Sequence, residues 1–364
     1  MKKIGIVITN GHIFSNGMNQ NALFLYILFT NLGITCDLLS YEETYTQIVY
    51  ESIPVRYLTS DTSKFNTSEY SIIITVSTSL DKPIYEQCQR TNTLVIGYVC
   101  SNQLCMAIEE TATCHTRSSI IGHDAAINKA WIFDGFPFMK TYIELLRGVK
   151  AQLVPHVWNT KIVEFYCRHI SKKDPELLLY NPTNHTHKKI TIMICESNIN
   201  FVKTAVLPLM AAEKLNTVNP ELIDEIFVFS YPTESIALNK LISELSIRSK
   251  VRRFTRQIVS EIFIHANKRN SVPVFVCNQI YTPLNYSYYE IMYYGYPFVH
   301  NSPVLKSYGN FYQDLDIDMC AVQIYKAYQT HADESRVIKN REYLNTIDPT
   351  HPSCLERWRS IVNP

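Results

Sequence analysis

Short apolar runs alternate with polar loops and helix-like segments along the whole chain. In the first half, continuous apolar runs of the kind found in buried parallel strands lie at 3–9, 34–41, 71–77, 93–100, 129–134 and 151–158. The segment 22–33 is apolar nearly all round and ends at Gly33, which predicts a buried helix. This alternation predicts a parallel sheet covered by helices on both faces.

A second series of the same kind follows a polar stretch that contains two prolines. Its predicted strands lie at 190–196, 225–231, 272–278 and 298–302, and its predicted helices at 201–216, 234–246, 256–268 and 283–294. We therefore predict an α/β protein with two doubly wound, Rossmann-like domains that face each other across a cleft. The predicted boundaries are 1–158 for the first domain, 159–188 for the crossover, 189–349 for the second domain, and 350–364 for a final helix that can pack back on the first domain.

Composition narrows the class of protein. Only 18% of the 364 residues are charged and the formal net charge is +1, which argues against a disordered or nucleic-acid-coating chain while leaving room for a local basic patch. The ten cysteines form no Cys-x-x-Cys pair, so we expect buried thiols in a reducing cytosol. The longest apolar run, 22–29, is far short of the roughly 20 residues that cross a bilayer, and the start does not resemble a signal peptide. We expect a cytoplasmic protein.

The stretch 282–303 places one carboxylate, Glu290, among six tyrosines. Thr282 can cap a helix that starts at Pro283, and Gly295 can end it in a left-handed conformation. The free amides at the start of this helix, which holds Leu284 and Asn285, suit a phosphate group. Glu290, roughly 10 Å further along, can accept hydrogen bonds from both hydroxyls of a ribose. The alternative is an ordinary surface glutamate on an aromatic packing helix.

The segment "YYEIMYYGYPFVHNS" resembles the glutamate–Gly-x-Pro segment of GT-B nucleotide-sugar glycosyltransferases. Four pieces also resemble an uncharacterised GT-B-like family of bacterial and viral proteins, a domain of unknown function: "GYVC" at 97–100, "VPHVW" at 154–158, "ESNINFVKT" at 196–204 and "GYPFVHNSP" at 295–303. The N-terminal layout is similar to that of phage DNA glucosyltransferases. The chain departs from the common pattern by carrying Ile291, Tyr293 and Tyr294 where small residues are usual.

The resemblance implies that the second domain binds the donor nucleotide and the first binds the acceptor. It makes Glu290 the ribose ligand and Gly295 a structural part of the same site. Lys203 becomes the candidate for the donor diphosphate, with Asn198 and Asn200 as amide partners. In the basic segment 250–257, Arg253 or Arg256 can reach the diphosphate or the base, although a solvated turn is the alternative reading.

The first domain supplies the remaining candidates. The loop 10–21 follows the first strand without the G-x-G-x-x-G pattern of dehydrogenases. Four of its residues can contact sugar or acceptor: Gly17, Asn19, Gln20 and Asn21. An inverting transfer needs a general base, and the candidates are Asp124, His123, Glu109 and Glu110. A retaining transfer does not need that base. His156 either borders the cleft or is a packed hinge residue.

We therefore predict a glycosyltransferase that moves a sugar from a nucleotide-diphosphate donor, expected to be a UDP-sugar, without a metal or further cofactor. Its Asp-x-Asp motifs at 314–318 are interpreted as a solvated turn. The acceptor can be a hydroxylated base in DNA or a glycan, and the setting is the host cytoplasm if the protein is viral. The alternatives are a nucleotide-sugar epimerase and a non-catalytic nucleotide-sugar or nucleic-acid binding module. The sequence leaves the oligomeric state open.

Overall fold

The computed structural model describes residues 3–9, 17–43, 53–76, 78–113, 126–198, 200–232, 235–283 and 285–362. The chain divides into two compact units, Met1–Ile162 with Asn345–Pro364, and Val163–Leu344. Each unit contains a parallel sheet flanked by helices, with seven strands in the first and six in the second. The predicted α/β class with two doubly wound sheets is confirmed.

The first sheet has the strand order β3-β2-β1-β4-β5-β6-β7, and every neighbouring pair is parallel. Its strands are β1 Lys3–Val7, β2 Cys36–Ser40, β3 Val55–Tyr57, β4 Tyr70–Val76, β5 Leu94–Val99, β6 Lys129–Phe133 and β7 Lys150–Val154. Its helices are α1 Gly17–Asn31, α2 Lys82–Arg90, α3 Gln103–Thr113, α4 Met139–Arg147 and, from the end of the chain, α12 Pro352–Val362. The order reverses between β1 and β4, which is the switch point of this sheet.

An aromatic cluster fixes α12 in the first unit. Trp358 of α12 is fully buried and meets Trp131 of β6 edge-on, with 5.6 Å between ring centroids. Phe29 of α1 lies 6.1 Å from the Trp358 ring. An ion pair between Arg357 and Asp134, 3.0 Å long, adds to this contact at the surface. Edge-to-face pairs of this kind stabilise a core beyond the area that they bury.

The second sheet has the strand order β10-β9-β8-β11-β12-β13 and is also parallel throughout. Its strands are β8 His187–Ile194, β9 Ile223–Val228, β10 Val251–Arg253, β11 Ser271–Val276, β12 Phe298–His300 and β13 Asn310–Phe311. Its helices are α6 Val206–Val218, α7 Ile236–Glu244, α8 Val259–Asn267, α9 Tyr286–Tyr293, α10 Ile317–Gln329 and α11 Glu334–Thr346, while α5 Lys161–His169 joins the units. From β8, the sheet extends towards one edge through β9 and β10, and later in the chain it extends towards the other edge through β11, β12 and β13. The switch point therefore lies between β8 and β11.

The two faces of the second sheet bury different kinds of side chain. One face packs aliphatic residues of β8 and β11 against α6, α7 and α10. The opposite face is aromatic: Phe263 of α8 meets Phe275 of β11 at 5.5 Å, and Tyr288 of α9 meets Phe298 of β12 at 5.3 Å. Side chains alternate between faces along a strand, so this division follows directly from the sequence of each strand. The tyrosines of the 282–303 stretch thus serve mainly as core for this face.

The end of α9 is fixed by its own backbone and by α11. Gly295 has the expected left-handed conformation, with φ +84°. The amide of Tyr296 donates to the Ile291 carbonyl and that of Gly295 to the Met292 carbonyl, which is the hydrogen-bond pattern of a Schellman motif. From α11, Arg341 donates to the carbonyl of Tyr293 at 2.9 Å.

A second arginine of α11 completes this anchor. Arg336 donates to the carbonyl of Gly295 at 3.1 Å and to that of Tyr296 at 2.8 Å. Cations at the C-terminal end of a helix also complement the helix dipole. The end of α9 is therefore held at a defined place relative to β12.

We predict that Gly295→Ala destabilises the protein by about 1–2 kcal/mol in urea unfolding, because alanine is strained in the left-handed region. A Cβ at this position would also lie 3.3 Å from the Val337 side chain. The matched control is Gly33→Ala, since Gly33 has φ +77° and no atom of the described residues lies within 4 Å of such a Cβ. Gly295→Ala should cost more than the control. Equal costs for the two variants would show that α11 does not restrict this turn.

Candidate functional site

The candidate site lies at the carboxyl ends of β8 and β11. Ligands of open parallel sheets bind outside the carboxyl ends of the strands, at the switch point. Glu196 follows β8 by two residues, and Asn278 follows β11 by two residues. The helices α6 and α9 start after these strands, so their N-terminal amides lie at the same edge of the sheet.

Glu290 is a buried acid of α9. Its side chain is only 4% exposed, and its Oε2 atom has no hydrogen-bond partner among the residues that the structure describes. Burial raises the pKa of this carboxyl group to about 8. An unpartnered buried carboxyl group costs free energy and requires a reason for its presence. The alternative interpretation of Glu290 as a surface glutamate is therefore wrong.

The start of α9 differs from the prediction. The helix begins at Tyr286, and Asn285 caps it by accepting hydrogen bonds from the amide and hydroxyl groups of Ser287. Thr282 does not act as the cap, because its amide donates to the Gln279 side chain at 2.6 Å and its hydroxyl to the Ile280 carbonyl. Glu290 therefore lies roughly 6 Å along the axis from the first helical residue, closer to the N-terminus than the predicted 10 Å.

Glu196 is a second buried acid, and the sequence interpretation overlooked it. It is 1% exposed, and its Oε1 atom accepts hydrogen bonds from the Asn278 amide at 2.9 Å and from the Tyr288 hydroxyl at 3.3 Å. Its Oε2 atom has no partner within the described ranges. Burial raises the pKa of Glu196 to about 7, against the opposing effect of the Lys203 charge. The available signal was a lone acid directly after a buried strand.

Both acids lie close enough to the Cys195 thiol to raise its pKa. Burial raises the pKa of the Cys195 thiol, and the charges of Glu196 and Glu290 raise it further. Tyr288, which donates to Glu196, lies on α9 with Glu290. The switch point thus holds two nearly inaccessible carboxyl groups, each with one oxygen unpartnered in the described structure.

The loop between β8 and α6 is folded around Asn198. This residue has φ +52°, a conformation that asparagine tolerates better than most residues. Its side chain donates to the Glu196 carbonyl at 2.9 Å and accepts from the Ala205 amide at 2.7 Å. Its backbone amide donates to the Lys203 carbonyl at 3.1 Å. Asn198 therefore holds the loop in its conformation through these three hydrogen bonds.

Lys203 and Asn200 lie in the same loop. The prediction placed Lys203 in the first turn of the following helix, but α6 begins at Val206. Burial lowers the pKa of Lys203, while the charge of Glu196 opposes this effect, so the two groups interact. The Oδ1 atom of Asn200 is buried and has no partner in the described part of the chain. Both side chains remain candidates for ligand contact.

An amide network fixes the loops around the site. The Asn301 side chain donates to the Gln279 carbonyl at 2.8 Å and to the Asp314 carbonyl at 2.7 Å, and it accepts from the Gln279 amide at 2.9 Å. The Gln279 side chain donates to the Asn301 carbonyl at 2.9 Å. These bonds tie the end of β11 to the end of β12. The motif "GYPFVHNSP" therefore contains residues with a structural role.

The basic segment 250–257 includes β10, at the edge of the second sheet. Arg253 ends β10, which is separated from β8 by β9, a distance of roughly 10 Å between strand axes. Its guanidinium lies over the Tyr231 ring, 5.0 Å from the centroid. Arg256 follows in an exposed segment. The roles of both arginines in donor binding stay predictions.

Most of the candidate residues after β1 use their side chains in hydrogen bonds within the fold. Asn19 is buried; its side chain accepts from the Thr9 amide and hydroxyl, both at 2.9 Å, and donates to the Thr9 carbonyl at 3.1 Å. The Asn21 side chain donates to the Gly17 carbonyl at 2.8 Å. Gln20 is half-buried. The Asn19 amide group therefore joins α1 to Thr9, two residues after β1, and the Asn21 amide group bonds within α1.

The candidates for a general base are only partly described. His123 and Asp124 lie outside the described residues, as does Leu284 of the donor set. Glu109 and Glu110 are half-buried and lie more than one turn into α3 rather than at its start. Their role in catalysis stays a prediction.

His156 is a packed residue of the first unit. Its ring is 4% exposed and meets the Phe133 ring edge-on at 4.9 Å. Burial lowers the pKa of His156 to about 3, so the ring is neutral at physiological pH. This environment agrees with a packing role.

Two further properties concern only the described parts of the chain. No three His, Cys, Asp or Glu side chains come together there in a way that would hold a metal ion. No helix there is both long and apolar enough to span a membrane.

The motif at 314–318 is exposed, and its Asp316 caps α10 by accepting from the Met319 amide at 2.8 Å.

Solved structures with a similar fold include several glycosyltransferases. HepE from Anabaena, in complex with UDP-glucose, has a TM-score of 0.62 at 10% identity over the full length of both chains. A TarM variant from S. aureus, in complex with UDP and two further molecules, has a TM-score of 0.64 at 12% identity over both full chains. An alpha-glucosyltransferase in complex with UDP and a 13-mer DNA containing an HMU base has a TM-score of 0.58 at 12% identity, again with both chains fully covered. These likenesses show the fold, which is that of GT-B glycosyltransferases.

We predict that Glu290→Gln and Glu196→Gln each stabilise the protein at pH 8.5 and change its stability little at pH 5. Both acids have a folded-state pKa above the ordinary value of 4.5. Their favourable contribution is complete below pH 4.5 and is lost as the pH rises through 7 to 8. Urea unfolding followed by circular dichroism should show a gain of at least about 1 kcal/mol at pH 8.5. Glu261→Gln, at an exposed position of α8, is the control, and equal effects at both pH values would contradict the assignment.

The family of the chain is given by its match over residues 4–362 to the family described as "Protein of unknown function (DUF2827)". No curated protein matches the chain. The family match spans both parallel sheets, the acids at the switch point and the α9 turn. The chain therefore belongs to the DUF2827 family.

Proposed function

We propose that the protein is a glycosyltransferase that takes a sugar from a nucleotide-diphosphate donor and transfers it to an acceptor hydroxyl group. The observation that carries this proposal is Glu290, a buried and partly unpartnered carboxyl group at the switch point of the second sheet. Such a group is costly in the empty protein and gains partners when a polyhydroxyl ligand binds. A stability cost maintained at a site is typical of function.

A nucleotide fits the chemistry of this edge. The ribose hydroxyls supply the hydrogen-bond donors that the Glu290 carboxyl group lacks. The N-terminal amides of α6 and α9 and the Lys203 ammonium group supply donors and positive charge for a diphosphate. The charges of Lys203 and Glu196 interact, which supports a place for the Lys203 ammonium group near this edge of the sheet. In this arrangement the protein binds and orients the donor through its own side chains, and it stabilises the charge of the leaving diphosphate.

The similar structures support a UDP-sugar as the donor. HepE has been solved with UDP-glucose, and the TarM variant and the alpha-glucosyltransferase have been solved with UDP. Because their identity to this chain is only 10–12%, this support concerns the class of donor. We further propose that no metal ion is needed, since Lys203 and the helix N-termini can balance the diphosphate charge.

The acceptor is proposed to carry a hydroxyl group and to be bound by the first unit. A hydroxylated base in DNA and a glycan are both compatible with the net charge of +1, because a local groove suffices for either. The alpha-glucosyltransferase solved with DNA makes modified DNA a direct choice for a first test. Transfer with inversion would use one of Asp124, His123, Glu109 or Glu110 as the base that removes the acceptor proton.

We predict that UDP or a UDP-sugar raises the thermal midpoint of the wild-type protein in a panel that also contains GDP, ADP, CMP and their sugars. Glu290→Gln should bind the same ligand at least about tenfold more weakly, because a neutral amide cannot accept from both ribose hydroxyls. The Glu261→Gln variant should respond like the wild type. A Glu290→Gln protein that is stabilised as well as the wild type would refute the assignment of the ribose ligand.

Turnover is tested by adding acceptors to the donor that binds. DNA containing hydroxymethylated pyrimidines and a panel of glycans should be incubated with the donor and analysed by mass spectrometry for an added hexose. A product supports the transferase, whereas a C2-epimerised donor formed without acceptor would support an epimerase. Binding without any product across the panel would favour a binding module.

We predict that Lys203→Gln weakens the binding of UDP at least about tenfold and that of uridine less than twofold, because the ammonium group serves the diphosphate. Isothermal titration calorimetry provides both dissociation constants. Lys214→Gln is the control, since Lys214 is an exposed lysine of α6 in a surface ion pair with Asp318. Equal losses for UDP and uridine would indicate that Lys203 supports the fold of the loop instead.

A further inference from the structure

Glu196 is a buried acid for which the ribose and diphosphate contacts described above give no role. It follows the central strand of the second sheet and lies at the switch point. Its Oε1 atom is held by the Asn278 amide, from the end of β11, and by the Tyr288 hydroxyl, from α9. The carboxyl group is therefore fixed in orientation by two neighbouring elements, while Oε2 is unpartnered within the described residues.

Burial favours the neutral form of Glu196, and its hydrogen bonds leave one oxygen available to carry the proton. The bonds from the Asn278 amide and the Tyr288 hydroxyl lower the pKa of this carboxyl group, but the effect of burial is larger. An ionised carboxylate has two oxygens that need donors, and here only Oε1 receives them. The positive charge of Lys203 lowers the pKa of Glu196, and burial outweighs this effect. A carboxylic acid with its proton on Oε2 instead presents an O–H donor on the side that lacks a partner. Burial raises the pKa of Glu196 to about 7, in agreement with this picture.

We propose that Glu196 enters the donor site as a neutral acid and donates a hydrogen bond from Oε2 to an oxygen of the donor's diphosphate. This inference rests on the proposed function. It assigns to the site a hydrogen-bond donor that carries no charge, next to the cationic Lys203. It also makes donor binding sensitive to pH, because an ionised Glu196 would repel the diphosphate and could not donate to it.

The ionisable groups around Glu196 lie on several elements of the second unit. They are Cys195 at the end of β8, Lys203 in the loop before α6, Cys277 after β11, Tyr288 and Glu290 of α9, and Tyr312 after β13. Burial raises the pKa of the Cys195 and Cys277 thiols and of the Tyr288 and Tyr312 hydroxyls well above neutrality, so these groups stay uncharged. Of these groups, Lys203 and Glu290 are the two that change or carry charge in the neutral range.

The direction in which the affinity for the donor changes with pH follows from the effect of the bound diphosphate on the pKa of Glu196. A bound diphosphate raises the pKa of Glu196 above its value of about 7 in the empty site. The contribution of Glu196 to binding is therefore complete below pH 7 and is lost as the pH rises above 7, at up to about tenfold in affinity per pH unit. Lys203, Glu290 and the ligand itself also affect the pH profile, so a single profile of the wild type is not sufficient.

The test compares the wild type with Glu196→Gln, because glutamine keeps the acceptor at Oε1 and places an uncharged NH₂ donor at the position of Oε2. The dissociation constants of UDP-glucose are measured by calorimetry from pH 5.5 to 8.5, and the ratio of wild type to variant is taken at each pH. Titrations common to both proteins cancel in this ratio. We expect a ratio within about threefold of one at pH 6, and a rise of at least about fivefold by pH 8.5.

The outcomes separate this inference from the proposed function. A ratio that is constant with pH would overturn the role of Glu196, and so would a variant that has lost binding at every pH, since the second result would require an ionised carboxylate. Titration with UDP should give the same rise as UDP-glucose, and a flat ratio with UDP alone would overturn the diphosphate as the contact. A wild type that does not bind either ligand would overturn the donor site as a whole. Unfolding curves of Glu196→Gln verify that the variant is folded.

Discussion

The burial of two carboxyl groups at the switch point of the second sheet is the constraint on which the site depends. Glu290 and Glu196 are 4% and 1% exposed, and each has one oxygen without a hydrogen-bond partner among the described residues. Their removal from water raises the pKa of both groups and costs stability at neutral pH. A protein retains such groups where they gain partners from a ligand, which is why this edge of the sheet identifies the candidate site better than any motif does.

The surrounding structure holds in place the helix and the loop that lie around these two buried carboxyl groups. The helix α9, which holds Glu290, is capped by Asn285 at its start and ends in a Schellman motif that two arginines of α11 bind. The loop before α6 is pinned by Asn198. The 282–303 stretch thus divides into a small part that we assign to function and a larger structural part, since its tyrosines fill the aromatic face of the sheet.

The sequence predicted the fold well because long, buried parallel strands are continuous apolar runs. The runs at 71–77 and 129–134 coincide closely with β4 and β6. The pattern missed β3, β10 and β13, which have three, three and two residues and are too short to show a period. It also placed the start of α9 too early, because Thr282 and Pro283 are residue types that favour the start of a helix. In the structure, the Thr282 amide donates to the Gln279 side chain and the Pro283 carbonyl accepts from the Ser302 hydroxyl.

The site was predictable only where one residue stood out from its neighbours. Glu290 did so as a lone acid in an aromatic helix. Glu196 did not, because its importance depends on the long-range contacts with Asn278 and Tyr288, which a linear pattern does not contain. In the same way, Asn19 has the composition of a sugar ligand, and only the structure shows that its amide group is bound to Thr9.

A crystal structure of the protein with UDP-glucose tests the central claim most directly. The account predicts that both ribose hydroxyls lie within hydrogen-bond distance of the Glu290 carboxyl group and that the diphosphate lies beside Lys203 and the N-terminal amides of α9. A nucleotide bound elsewhere, with the Glu290 carboxyl group of α9 still buried and unpartnered, would contradict it.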